Sequence, residues 1–233
     1  MAVGVARALD RKGLKVGILD LDYRSPCVPL VMGDQTGQLR HGPNDSIQPC
    51  VINGIAVMSM AYIWPPDKCV MVEDKDAVDD VKQLLKPDTI EWPRLDFLVV
   101  DSPPTSSGIV VATLAHPGIS GALAISHPSS VSRAALLRTL DLFAEHTVPV
   151  YGVVSNQGMA EGKPRFDLSD DHIRAVAQEF ELPLCFVVPH TSELAPYFDE
   201  LVDKLLLVSP VILPRKVPSD RVWKEFVKLA KTL

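Results

Sequence analysis

Cysteine is scarce and scattered in this chain. The four present, Cys27, Cys50, Cys69 and Cys185, form no CxxC pair, a pattern that argues against a zinc ribbon or a disulfide scaffold and suits a reducing cytosol. No apolar stretch approaches the ~20 residues that a membrane span requires. The amino terminus also lacks the basic start and apolar core of a signal peptide. Basic residues are in the minority, 23 Lys and Arg against 29 Asp and Glu for a formal net charge of -6, which argues against general binding to nucleic acid or to a membrane surface. Internal repeats and low-complexity tracts are absent. These absences together predict a cytoplasmic protein with neither a nucleic-acid nor a membrane partner.

What is present suits a single α/β domain. The chain has 233 residues, 47% of them hydrophobic, enough for one sizeable core, so one domain is expected over 1–233. Twenty prolines punctuate element ends, as at Pro103, Pro104, Pro128, Pro149, Pro183 and Pro189. Periodicity predicts a helix over 2–9 closed by Gly13, a buried strand over 16–19 ending at Asp20, and a short helix over 28–32 stopped by Gly33. The polar run 34–46 is expected to be a loop. Asn53-Gly54, set between apolar runs, predicts a hairpin joining 50–52 to 55–58. Further helices are expected at 74–85, 108–115, 130–145, 169–180, 193–205 and 219–231. Strands are expected at 97–100, 121–125, 150–154 and 184–188. Alternation of strand and helix through the second half predicts a doubly wound, mainly parallel sheet with helices on both faces.

The stretch LDFLVVDSPPTSSG, residues 95–108, carries the strongest chemical signal. Its β-branched run ends in one acid, Asp101, and a Pro-Pro pair forbids the strand from continuing. Ligands of open α/β sheets bind at the carboxyl ends of strands, and an Asp there can hold magnesium through water or simply cap the turn. A second acidic strand tip, KVGILDLD, adds Asp20 and Asp22. In an extended segment, residues two apart place both carboxylates on one side. Asn156, ending VYGVVSNQ, offers a paired donor and acceptor suited to a purine edge, or else a turn residue that tolerates a left-handed conformation. Ser106 and Ser107 ahead of the helix at Gly108 suit either an anion or a helix cap.

The order LDLD, NGIAVMSMAYIW, DFLVVDSPPTSSG and VPVYGVVSNQ resembles the Mrp-type, ApbC-like branch of the deviant-Walker P-loop ATPases, relatives of MinD and ParA. The resemblance covers nearly the whole chain. It implies ATP and magnesium as cofactors, with Asp20 and Asp22 serving the metal and the attacking water. It also implies that Asp101 orients a magnesium-bound water, that Asn156 reads adenine, and that a Pro189-His190 loop packs against the base. Phosphoryl transfer asks little covalent chemistry of the protein and much positioning of metal and water, which acids supply. By the same resemblance the partners are a second copy across the nucleotide and an apo-metalloprotein client. The implied function is that of an iron-sulfur cluster carrier or metallocofactor maturation factor. The alternatives are a non-catalytic scaffold of the same fold and a MinD- or ParA-like positioning ATPase. For the last, an apolar stripe of Val222, Phe226, Val227, Leu229 and Ala230 would have to serve as a membrane helix rather than pack on the core.

Two features depart from that family. No GxxxxGK(S/T) loop occurs, and neither Lys12 nor Lys15 lies in a Gly-rich strand-to-helix turn. Such a loop would stand directly before the helix that begins at Ala2, following a central strand. Deleting a central strand would leave backbone groups unpaired, so the expectation is a sequence shortened at its start. The family's carboxyl-terminal CxxC is also missing after Asn156, where the chain reads QGMAEGKPRFDLSDDH. An iron-sulfur cluster held by that route is therefore not expected.

Overall fold

A computed structural model describes residues 1–34, 37–64, 72–104, 107–160 and 163–214. The last helix expected from sequence, 219–231, lies outside the described residues, as do Cys69 and Ser106.

The chain opens with α1 (Ala2–Arg11), whose Val5, Ala6 and Leu9 face the core and whose exit is marked by Gly13 at φ 81°. It leads into β1 (Val16–Asp20) and, after a loop, α2 (Val28–Met32), ended by Gly33 in the left-handed region. The run expected to be all loop holds a small ribbon, β2 (Arg40–His41) against β3 (Ile47–Gln48). Then β4 (Cys50–Ile52) turns through Asn53 and Gly54, both at positive φ, into β5 (Ile55–Ser59). The hairpin read from Asn-Gly is thus present.

The second half alternates as expected. Helix α3 (Asp74–Leu84) precedes β6 (Phe97–Asp101), α4 (Gly108–Leu114), β7 (Ala122–Ser126) and α5 (Ser130–Glu145). After these come β8 (Pro149–Ala160), β9 (Lys163–Pro164), α6 (Asp170–Glu179), β10 (Leu184–His190), α7 (Ala195–Leu207) and β11 (Val211–Ile212).

Among the described residues the main strands fall into two sheets, largely parallel, with β4, β9 and β11 antiparallel to their neighbours. The first runs β4-β5-β1-β6, and the second centres on β8 with β7 and β10 beside it and β9 and β11 at its ends. Within each, successive residues serve opposite helical layers, as strand geometry requires. Ile18 of β1 and Val57 of β5 join one apolar cluster with α1 and α7. Their neighbours Leu19 and Met58 join another with α3. Residues Val153 and Val154 of β8 divide the same way, Val153 toward α5 and α6 and Val154 toward α1. Every residue of β1 and β5 is buried, and each large apolar side chain so removed from water contributes about 1.5–3 kcal/mol. This is the doubly wound architecture expected from sequence, in two sectors rather than one unbroken sheet.

Candidate functional site

The two acidic strand tips lie side by side. Strands β1 and β6 are parallel partners with Asp20 opposite Asp101, and the Leu21 amide donates to the Asp101 carbonyl at 2.8 Å. Asp20 is buried and its carboxylate is heavily engaged. Ser59 Oγ donates to Oδ2 at 2.8 Å, the Val28 amide to Oδ2 at 3.2 Å, and the Asp22 amide to Oδ1 at 3.1 Å. Burial pushes Asp20 up to about 6, against the pull of those three donors, and the Asp101 charge adds to the push. Asp101 is likewise raised, by burial first, while the Met1 amino group opposes and Asp22 reinforces the shift. The start of α1 therefore opens beside the acids.

Asp22 is placed differently from the sequence expectation. The chain is not extended beyond Asp20: the Tyr23 amide turns back to the Leu21 carbonyl at 3.0 Å, so the side-by-side geometry expected of residues two apart on a strand does not apply. Asp22 Oδ1 instead accepts from the Arg24 and Ser25 amides at 3.3 and 3.1 Å, organising the loop that carries Cys27. The Cys27 thiol is pushed up by partial burial and then by the charges of Asp20, Asp101 and Asp22, which keeps it protonated beside this acidic edge. Ser59 is the partner that sequence inspection missed. Its signal was modest, a hydroxyl closing the apolar run of NGIAVMSM. Ser107 caps α4 by accepting from the Val110 amide at 3.4 Å.

A second group forms at the end of the other sheet. Asn156 lies inside β8 rather than at its tip, because that strand runs on to Ala160 across a left-handed Gln157. Asn156 pairs with Val188 and Ala160 with His190. The expected Pro189-His190 loop is therefore the last part of β10. The ladder shifts register between Val188 and His190, where residues 157–159 of β8, with Gln157 left-handed, stand opposite Pro189 alone. His127 Nδ1 donates to the Asn156 carbonyl at 2.7 Å, and its ring lies 4.9 Å from that of Phe166. Asn156, Pro189 and His190 are thus brought together, on a different sheet from the acids.

Magnesium takes one or two carboxylates, several waters and phosphate oxygens. Asp20 and Asp101 fit that role. The three hydrogen bonds on Asp20 leave about one of its roughly four acceptor positions for a metal-bound water. Among the described residues no three His, Cys, Asp or Glu side chains gather into a metal site of their own, so a protein-only cage does not fit. Nor do residues 1–233 supply the amide-and-lysine cradle that phosphates need.

An open parallel fold with paired acids at strand tips beside a helix start defines an α/β protein of the P-loop NTPase type. Solved structures agree on the fold. A nucleotide-binding protein in complex with ADP from Archaeoglobus fulgidus superposes with a TM-score of 0.69 at 20% identity, covering 91% of this chain and 86% of that one. The cell division ATPase MinD of Pyrococcus furiosus gives 0.64 at 16% identity, covering 88% and 91%. The chain belongs to the ParA family described as NUBPL iron-transfer P-loop NTPase, whose profile matches residues 1–210. It is similar to the iron-sulfur cluster carrier proteins of Deinococcus radiodurans, at 29% identity over 67% of this chain and 44% of the relative, and of Escherichia coli (strain K12), at 29% over 68% and 42%. The carrier protein of Aquifex aeolicus matches at 25% across 100% of this chain and 62% of its own length. The chain thus spans less than two thirds of these relatives.

Proposed function

We propose that this chain is the acid-bearing part of a magnesium-nucleotide site in an iron-sulfur cluster carrier. Membership of an iron-transfer NTPase family and the opposition of Asp20 and Asp101 at adjacent strand ends carry the proposal. Asp101 and Asp20 hold the metal through water, while Asp22, on the turn beside them, acts on the attacking water. Asn156, Pro189 and His190 form the base-reading end. The unit spans 1–233 as one domain, pairs with a second copy across the nucleotide, and delivers its cluster to an apo-metalloprotein in the cytoplasm. No helix among the described residues is long and apolar enough to cross a membrane. The cluster is cargo. Cys27, Cys50 and Cys185 stand on three separate elements, so its thiolates must be completed from outside the described residues.

The test uses a chain engineered with a strand and a GKGGxGK(S/T) turn ahead of Ala2, loaded anaerobically with iron and sulfide and mixed with an apo-ferredoxin. Transfer should require magnesium-ATP and be lost in Asp22→Ala, with nucleotide binding largely spared, because a water-positioning acid acts on the transition state. Asn156→Ala should weaken preference for ATP over GTP by ~1–3 kcal/mol, through loss of a buried base partner. Transfer indifferent to both nucleotide and Asp22 would overturn the proposal.

A further inference from the structure

His127 stands where β7 stops and its neighbour β8 runs on. The last rung between those strands pairs Ser126 with Ser155, while β8 continues through Asn156, level with Val188 of β10. In a parallel ladder a carbonyl accepts from the amide one residue beyond its own partner. Along this register, in which Ile125 pairs with Val154, the donor for the Asn156 carbonyl would be the amide of residue 128. That residue is proline and has no N–H. The ring of His127 takes the missing donor's place, with Nδ1–H donating to the Asn156 carbonyl at 2.7 Å.

Several contacts hold the ring in that place. Ser126 Oγ and the Ser129 amide donate to the His127 carbonyl at 3.1 and 2.9 Å, and Phe166 lies against the imidazole. Phe166 belongs to a strap of consecutive residues tied to the ends of β7 and β8. Arg165 donates to the Gln157 side-chain oxygen at 3.1 Å, with its guanidinium 5.7 Å from the Phe166 ring centre. Asp167 accepts from the Ser130 amide at 3.2 and 3.3 Å, and the Leu168 amide donates to the Pro128 carbonyl at 3.1 Å. The consequence falls on Asn156, which is half-buried and is followed at once by Gln157 at φ 57°. A carbonyl left without a donor just before such a swing would carry its desolvation cost and leave the strand exit free to take another course.

We propose that His127 is the positioning residue of the base-reading end: its Nδ1–H replaces the ladder donor that Pro128 lacks and so fixes the direction in which the Asn156 carboxamide meets a purine. This role rests on the reading of Asn156 given above. His127 acts through Asn156 and not on the base itself. Its effect is preorganisation, since a carboxamide held in one direction loses less freedom when it pairs with a ligand.

The test has two arms, both on the chain 1–233. In the first, nitrogen-15 NMR in mildly alkaline solution should find the imidazole proton on Nδ1, with Nε2 bare. The Asn156 carbonyl carbon should shift in His127→Gln, whose amide nitrogen matches the Nε2 position, and stay near its native value in His127→Asn, whose amide matches Nδ1. In the second arm the probes are adenosine and guanosine, which carry no phosphate and so question the base end alone. Chemical-shift titration detects binding as weak as the order of millimolar. Adenosine should bind in preference to guanosine and move the Asn156 carboxamide. His127→Gln should cut that preference by ~2- to 10-fold, the loss of about one hydrogen bond, and His127→Asn should restore it. A proton on Nε2, an Asn156 carbonyl unmoved by His127→Gln, or full adenosine preference in His127→Gln would overturn the proposal. If the first arm holds and neither nucleoside moves Asn156 in the native chain, the base-reading assignment of Asn156 itself fails, and this role of His127 with it.

Discussion

At the scale of single residues, Asp20 is the hinge of the site, and its titration can be followed. Its carboxyl is held at about 6 in the fold, against an ordinary value near 4 in an unfolded chain. Between those values the folded state keeps a proton that the unfolded state has lost, so stability falls as pH rises through this window. Below about pH 4 the penalty is absent; above about pH 6 it is complete, at roughly 3 kcal/mol. Denaturant unfolding from pH 4 to pH 7 should therefore show a steeper loss for the native chain than for Asp20→Asn. Parallel pH profiles for the two proteins would remove burial as the governing influence on Asp20. That Asp20 and Asp101 lie together was legible in the sequence, because each closes an apolar run and parallel strands bring such endings to one edge. Ser59 was not legible as their partner. It stands 39 residues from Asp20, and only the β1-β5 pairing reveals the contact. The placement of Asp22 failed for a local reason, since strand alternation was carried one residue pair past the point where the backbone turns.

At the scale of elements, helices and strands followed their periodicity closely, and the misses cluster where pairing overrides composition. The strand β8 continues through Gln157–Ala160, a polar and glycine-containing stretch with no apolar alternation. Its partner β10 holds it in place. Pairing also explains Gly152, which sits at φ 153° opposite Leu184, beside the register shift of β7. A Cβ there would meet the Leu184 carbonyl oxygen at 2.0 Å, a backbone contact that cannot rotate away. Gly152→Ala should accordingly cost more than ~3 kcal/mol, at or beyond the upper end of ordinary overpacking, measured by chemical denaturation. A loss under 1 kcal/mol would mean that β8 and β10 are less closely apposed than described. By contrast, the ion pairs Arg11–Asp199 and Lys12–Asp203, which tie α1 to α7, lie at the surface, and each is worth about 0–1 kcal/mol. The two helices are joined chiefly by their shared apolar cluster.

At the scale of the whole molecule, class and order of elements were legible because strand and helix signals alternate. The division of the described strands into two sheets was not legible, because periodicity reports which segments are strands and not which of them pair. The described residues supply the acids and the helix start, and the chain contains no glycine-rich lysine turn. Acids position magnesium and water but do not hold phosphates, whose binding depends on backbone amides and lysine at a helix start. The most direct measurement is calorimetric titration of magnesium-ATP into residues 1–233 and, alongside, into the chain carrying an added strand and GKGGxGK(S/T) turn ahead of Ala2. No measurable binding to the first and tight, magnesium-dependent binding to the second is the predicted result. Tight binding to residues 1–233 alone, or none to the folded extended chain, would contradict it.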